Sequence, residues 1–274
     1  MKTKSLTIFL IALFVVEMNL GTEEDKNENK EDEKFGYEKI GEDVPATDVN
    51  FSLKMILIGN SMVGKSALSE KICKNTFPEG YSETVGFEFL TLNFKIVSGL
   101  WNNSVLRYQM WDACGNENYR SLITSFYNNA NVVLLVYDIT NVKSFEDIGS
   151  WVNDAKTNNT DMIIHFVLIG NKIDLEQERA VSKEEGGKFA EANGMKFVEV
   201  SAQTGAGIKD LENILAKIIY EEFKKYKKEK EEDKKKEKEG IIKKDDSEDD
   251  LIVYEKHTHS SSLCDCCKKI CENC

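Results

Sequence analysis

The chain has 274 residues, with 48 acidic side chains against 36 basic ones and a formal net charge of −12. Two prolines and 17 glycines exclude collagen-like and proline-rich fibrous classes. No apolar run reaches the length that a polytopic membrane protein needs, and the acidity argues against a protein that coats nucleic acid.

Residues 1–21 open with Lys2 and Lys4 and continue into the apolar run Leu6–Val16. This pattern is that of a signal peptide or a weak membrane anchor, too short to span a bilayer. No small-x-small cleavage site follows, and Met18 stays open as an alternative start. Residues 22–50 continue an acidic stretch: Glu17–Asn50 holds twelve acids against four lysines. With so few large apolar side chains it is expected to be a disordered linker.

Residues 51–220 read as one globular domain. Leu53–Ile58, Val132–Asp138, Ile163–Ile169 and Lys196–Val200 are short apolar runs rich in Val and Ile, as strands covered on both faces require. Phe87–Val97 and Val105–Trp111 alternate in part and predict an antiparallel hairpin at a sheet edge, turned by Ser98–Ser104. Helical patterns lie between them at Ser66–Lys74, Asn118–Asn129, Ser144–Asn158, Lys183–Asn193 and Ile208–Tyr220. Strands alternating with helices imply an α/β fold built on a mostly parallel sheet. Residues 221–263 form a charged tail whose first half either prolongs the last helix as a charged rod or stays solvated. Residues 264–274 hold five of the seven cysteines. His165, within an apolar strand pattern, is expected to be a satisfied core histidine.

Four motifs carry chemistry. Gly59-Asn60-Ser61-Met62-Val63-Gly64-Lys65-Ser66, followed by Ala67, fits a phosphate-binding loop between a strand and a helix. Its backbone N–H groups and helix N-terminus suit phosphates, Lys65 adds a point charge, and the Ser66 hydroxyl suits Mg2+. Asn171-Lys172-Ile173-Asp174 ends a strand; a carboxylate there can accept two hydrogen bonds from guanine, a pair that adenine cannot offer. Ser201-Ala202-Gln203 lies one strand-helix unit later, where the Ala202 N–H is placed to meet guanine O6. Asp112-Ala113-Cys114-Gly115 supplies an acid for a metal-bound water and an N–H for a γ-phosphate, and Thr84 a further hydroxyl for the metal.

Together these residues resemble a Ras-superfamily small GTPase, the Rab branch most closely, over about three-fifths of the chain. The Rab-like signatures are Thr84-Val85-Gly86-Phe87-Glu88-Phe89, Trp111-Asp112, Tyr119-Arg120-Ser121 and Ser144-Phe145-Glu146. The resemblance implies a phosphate-loop NTPase fold: a six-stranded, mostly parallel sheet with one antiparallel edge strand and about five helices. It implies GTP or GDP bound with Mg2+, with Tyr81 also at the nucleotide, and an effector surface of Phe89, Trp111 and Phe126. It further implies exchange factors, activating proteins, effectors, a dissociation-inhibitor-type chaperone and a monomeric switch in vesicle traffic on the cytoplasmic face of intracellular membranes. Entry into the secretory pathway is the competing expectation from residues 1–21.

The chain departs from the family pattern at several points. Asn116 stands where the family has the glutamine that orients the attacking water. One methylene shorter, it predicts slow hydrolysis, because a displacement near 1 Å can cost about a hundredfold. Met62 takes a position usually small, and Gln203 one usually lysine. The C-terminal Cys271-Glu272-Asn273-Cys274 lacks the adjacent cysteine pair that accepts prenyl chains. Lipidation at Cys271 or Cys274, thiolate metal binding and an unmodified tail stay open there.

Overall fold

The computed structural model describes residues 35–80, 84, 86–115, 126–159 and 164–238. Expectations for residues 1–34, Tyr81, Asn116, most of the helix Asn118–Asn129, and Cys271 and Cys274 lie outside these residues.

Seven strands form one sheet: β1 (Gly36–Ile40), β2 (Phe51–Ile58), β3 (Phe87–Ser98), β4 (Val105–Ala113), β5 (Val132–Asp138), β6 (His165–Asn171) and β7 (Lys196–Glu199). Their spatial order is β1-β3-β4-β2-β5-β6-β7. The β2, β4, β5, β6 and β7 pairings are parallel, whereas β3 runs against both β4 and β1. The helices are α1 (Lys65–Lys74), α2 (Val142–Glu146), α3 (Ile148–Thr157), α4 (Lys183–Ala192) and α5 (Ile208–Lys238), with a 3-10 segment at Ile173–Glu178.

The strand pattern explains the layers. Every residue of β5 is buried, as a central strand covered on both faces must be. Successive side chains alternate between two cores. Met55 and Leu57 join Leu68 and Ile72 of α1 and Leu211 and Leu215 of α5, while Ile56 and Ile58 join Trp151 of α3 and Ala190 of α4. Local signals set the helix ends. Asn75, in the left-handed region at φ 58°, closes α1. Ser182 and Glu185 form a reciprocal capping box at the start of α4.

The fold class is the one the sequence implied, with four differences. First, the sheet gains a seventh strand from the segment read as a disordered linker. Phe35 and Tyr37 lie among acids that dominate the local composition, yet Tyr37 packs edge-on to Phe94 at 5.2 Å and Phe35 stacks on Tyr220 at 4.1 Å. Arg107 and Asn93 then donate to the carbonyls of Val44 and Gly41, at 2.6 and 2.8 Å. β1 therefore flanks β3, which was expected at the sheet edge. Second, the helix expected at Ser144–Asn158 is two helices that meet at Asp147. Third, the strand expected at Ile163–Ile169 begins at His165 and runs on through Asn171. Fourth, α5 continues through Lys238, the rod alternative for the charged tail. His165 is only half-buried and meets Glu222 of α5 at 3.0 Å, so it is a satisfied residue of the strand start and not of the core.

Candidate functional site

The carboxyl ends of β2, β4, β5 and β6 converge on one side of the sheet, where ligands of open α/β sheets bind. β2 delivers Gly59, whose φ of 145° suits glycine, and a Cβ there would run into the Val136 carbonyl. Gly64 at φ 91° starts α1, and a Cβ there would press on the Asn171 amide. Between them the loop bends over Met62, a non-glycine residue at φ 66° whose side chain is 68% exposed. Met62, at a position usually small, thus directs its side chain to solvent. Val63 is buried in the core and anchors the loop from below.

Lys65 is buried and donates to the carbonyls of Gly59 and Asn60, at 3.0 and 2.8 Å. Burial lowers its pKa to about 8, against the opposing pull of Asp112 and Cys114. Gly115 sits directly over this ammonium: a Cβ there would collide with Lys65 Nζ and the Asn60 carbonyl. Asp112, at the end of β4, is fully buried, and neither carboxylate oxygen has a hydrogen-bond partner. Burial raises its pKa to about 6, against the Ser66 hydroxyl and Lys65. The hydroxyls of Ser66 and Thr84 meet at 2.8 Å. An orphaned carboxylate beside two facing hydroxyls fits a hard, oxygen-liganded cation such as Mg2+.

Asn171 joins the phosphate end of the site to the base end. Its Nδ2 donates to the Val63 carbonyl at 2.9 Å, and its Oδ1 accepts from the Ala202 N–H at 3.1 Å. The Ala202 N–H expected at guanine O6 is therefore engaged by Asn171, because both strand ends meet there. Ser201 donates to one oxygen of Asp174 and accepts from Thr204 N–H, which orients the exposed Asp174 carboxylate. Lys172, held at φ 70°, pairs with Asp138 at 2.6 Å while its stem lines both clefts of the site. Gln203 is exposed. The two adjoining clefts measure about 490 and 550 Å³; Ser61, Met62 and Lys172 line both, and Ala67, Thr84 and Gly115 line the second.

Sequence reasoning missed two supports. Asn60 spends its amide on the scaffold: Nδ2 donates to Asp147 at 2.8 Å, and Oδ1 accepts from Trp151 Nε1 at 2.9 Å. Asp138, at the end of β5, holds Lys172 and the Thr140 hydroxyl. Asn60 lies in the phosphate-loop motif, which assigns no role to its side chain, and Asp138 carried only the signal of a strand-end aspartate. The three aromatic residues assigned to an effector surface come together outside the clefts. Phe89 is half exposed and lies 5.1 Å from Trp111, which lies 5.5 Å from Phe126. Two residues not foreseen join them: Phe87 stacks on Phe126 at 3.5 Å, and Lys54 sits 5.8 Å above the Trp111 ring.

Comparison with known proteins agrees with this geometry. The Ras family model matches residues 54–221. GTP-binding protein YPT52 of Saccharomyces cerevisiae is 35% identical over 191 residues, covering 61% of this chain and 82% of its own length. Ras-related protein Rab-39A of Mus musculus is 36% identical over 179 residues, 64% of this chain and 81% of its own. Ras-related protein Rab-1 of Theileria parva is 34% identical over 180 residues, 65% and 79% respectively.

Proposed function

The chain belongs to the Ras family and is a small GTPase of Rab type; from that premise we propose a GTP/GDP switch for vesicle traffic whose unaided hydrolysis is slow. The observation that carries the guanine reading is the Asn171 side chain, which joins Val63 to Ala202 next to an Asp174 carboxylate oriented by Ser201. Adenine seated there would cover the Asp174 carboxylate without offering it a donor pair, and the site rejects it on that ground. The loop Gly59–Ser66 presents its N–H groups to the phosphates, and an anionic β/γ-phosphate would stabilise the Lys65 ammonium that burial disfavours. Ser66 and Thr84 would hold Mg2+ directly, with Asp112 through a bound water. The ion supplies charge neutralisation between the phosphates when bound.

Asn116 orients the attacking water in this reading, from one methylene further back than glutamine. Asn116→Gln should raise the single-turnover rate at least tenfold; equal rates would remove the slow-hydrolysis claim. A second reading, a GTP-loaded scaffold for effectors, rests on the same residue and is favoured if an activating protein leaves hydrolysis unchanged. Purified protein that carries no guanine nucleotide would refute both readings.

Membrane attachment belongs to the same proposal, with lipid on Cys271 or Cys274 and the GTPase domain on the cytoplasmic face of an intracellular membrane. Regulators and effectors of the family type would then act at Phe89, Trp111 and Phe126. Among the described residues no helix is long and apolar enough to cross a membrane. The relatives lend no support to secretory entry through residues 1–21.

A further inference from the structure

Helix α5 outlasts its apolar face. Tyr226 is its last aromatic residue, and positions 227–238 are all Lys, Glu or Asp. The charges are not mixed evenly around it. At ~3.6 residues per turn, Lys224, Lys227, Lys228, Lys234 and Lys235 share an arc of roughly 120°, interrupted only by Glu231. Glu229 and Asp233 fall on the opposite side. Among the described residues Lys227, Lys228, Lys234 and Lys235 form no ion pair; Lys227 instead sits 5.1 Å above the Phe223 ring. The stripe continues the row that contains Tyr220, at the spacings of four, seven and eight residues that bring helix side chains into line.

Phe35, the first described residue, stacks on that same Tyr220 with ring planes 3° apart. Phe35, to which residues 22–34 are joined, therefore lies at the foot of the lysine stripe. Residues 22–34 hold seven acids against three lysines. Their extended reach, roughly 43 Å, exceeds the roughly 22 Å of helix between Tyr220 and Lys235. Charge, position and length agree.

We propose that residues 22–34 dock along the lysine stripe of α5 and mask it electrostatically. An anionic lipid surface, which attracts clustered lysines, must then displace this acidic segment before it can meet the stripe.

The test uses the full chain. Carbodiimide coupling at about 20 mM NaCl, followed by mass spectrometry, should link Glu23–Glu33 to Lys224–Lys235 in preference to Lys183 and Lys188 on the far side of the sheet. At about 500 mM NaCl, where screening acts within a few ångströms, those links should fall at least fivefold. Neutralising the seven acids (E23Q, E24Q, D25N, E28Q, E31Q, D32N, E33Q) leaves β1 intact. It should increase sedimentation with phosphatidylcholine vesicles containing one quarter phosphatidylserine by about tenfold or more. Adding K227Q, K228Q, K234Q and K235Q to that variant should abolish the gain. Links spread evenly over all exposed lysines, or vesicle binding equal in wild type and neutralised chain, would overturn the proposal.

Discussion

The Asn171 amide makes two hydrogen bonds, to the Val63 carbonyl and from the Ala202 N–H, while only 1% of the residue is exposed. Replacing it with alanine strands both backbone groups, at about 1–3 kcal/mol each. Asn171→Ala should lower the urea midpoint and speed GDP release more than tenfold, whereas Gln203→Ala, on the exposed side, should change neither beyond twofold. Met62 tests the phosphate loop from the other side. Its left-handed backbone costs a non-glycine residue about 1 kcal/mol, so Met62→Gly should raise the thermal midpoint by a few degrees. Residue identities at the site were legible in the sequence, because phosphate and guanine recognition demand fixed residue types at fixed spacings. The uses of the side chains were not. Asn60 bonds Asp147 and Trp151, and Ala202 bonds Asn171, across separations that only the packed sheet brings together.

At the scale of elements, hydrophobic periodicity located the central strands and α1, α4 and the first half of α5. It failed at the two chain extensions for opposite reasons. β1 holds only two large apolar residues in a segment rich in acids, and its stability comes from partners on β3 and α5 distant in sequence. The continuation of α5 has no apolar stripe after Tyr226, so its helicity rests on Lys and Glu propensity. His165 and Lys225 hold this continuation at Glu222, at 3.0 and 2.6 Å. The hydrogen bond from His165, first, and Lys225 lower the Glu222 pKa to about 2, against burial. A depressed carboxylate stabilises the fold above its unfolded pKa, and that contribution fades as pH falls from about 4.5 towards 2. Glu222→Gln should therefore cost less than about 1 kcal/mol at pH 7, since the pair is partly exposed. The gap to wild type in chemical denaturation should narrow by about pH 3 and not widen.

For the whole molecule, the sheet has two edges with different guards. β7 is only four residues long, a length that offers little to a passing strand. β3 is twelve residues long and is covered by β1, by Lys39 bonded to Glu212 at 2.7 Å and the Ile72 carbonyl at 2.9 Å, and by Tyr37 bonded to Asn213. Deleting residues 1–41 should uncover this edge. We expect a lower thermal midpoint together with concentration-dependent self-association, read by light scattering; a monomer of unchanged stability would show that β1 guards nothing. The same contacts reach further. Trp101 in the β3–β4 turn lies 5.6 Å from Tyr220 and 5.4 Å from Phe223, and Phe35 completes the cluster. The C-terminal tail is consequently not a portable module: grafted onto a relative without β1 and this turn, it would arrive with its aromatic socket missing and its direction unset. Chimeras that aim to transfer this helix with its orientation must move three separate stretches of sequence as one unit.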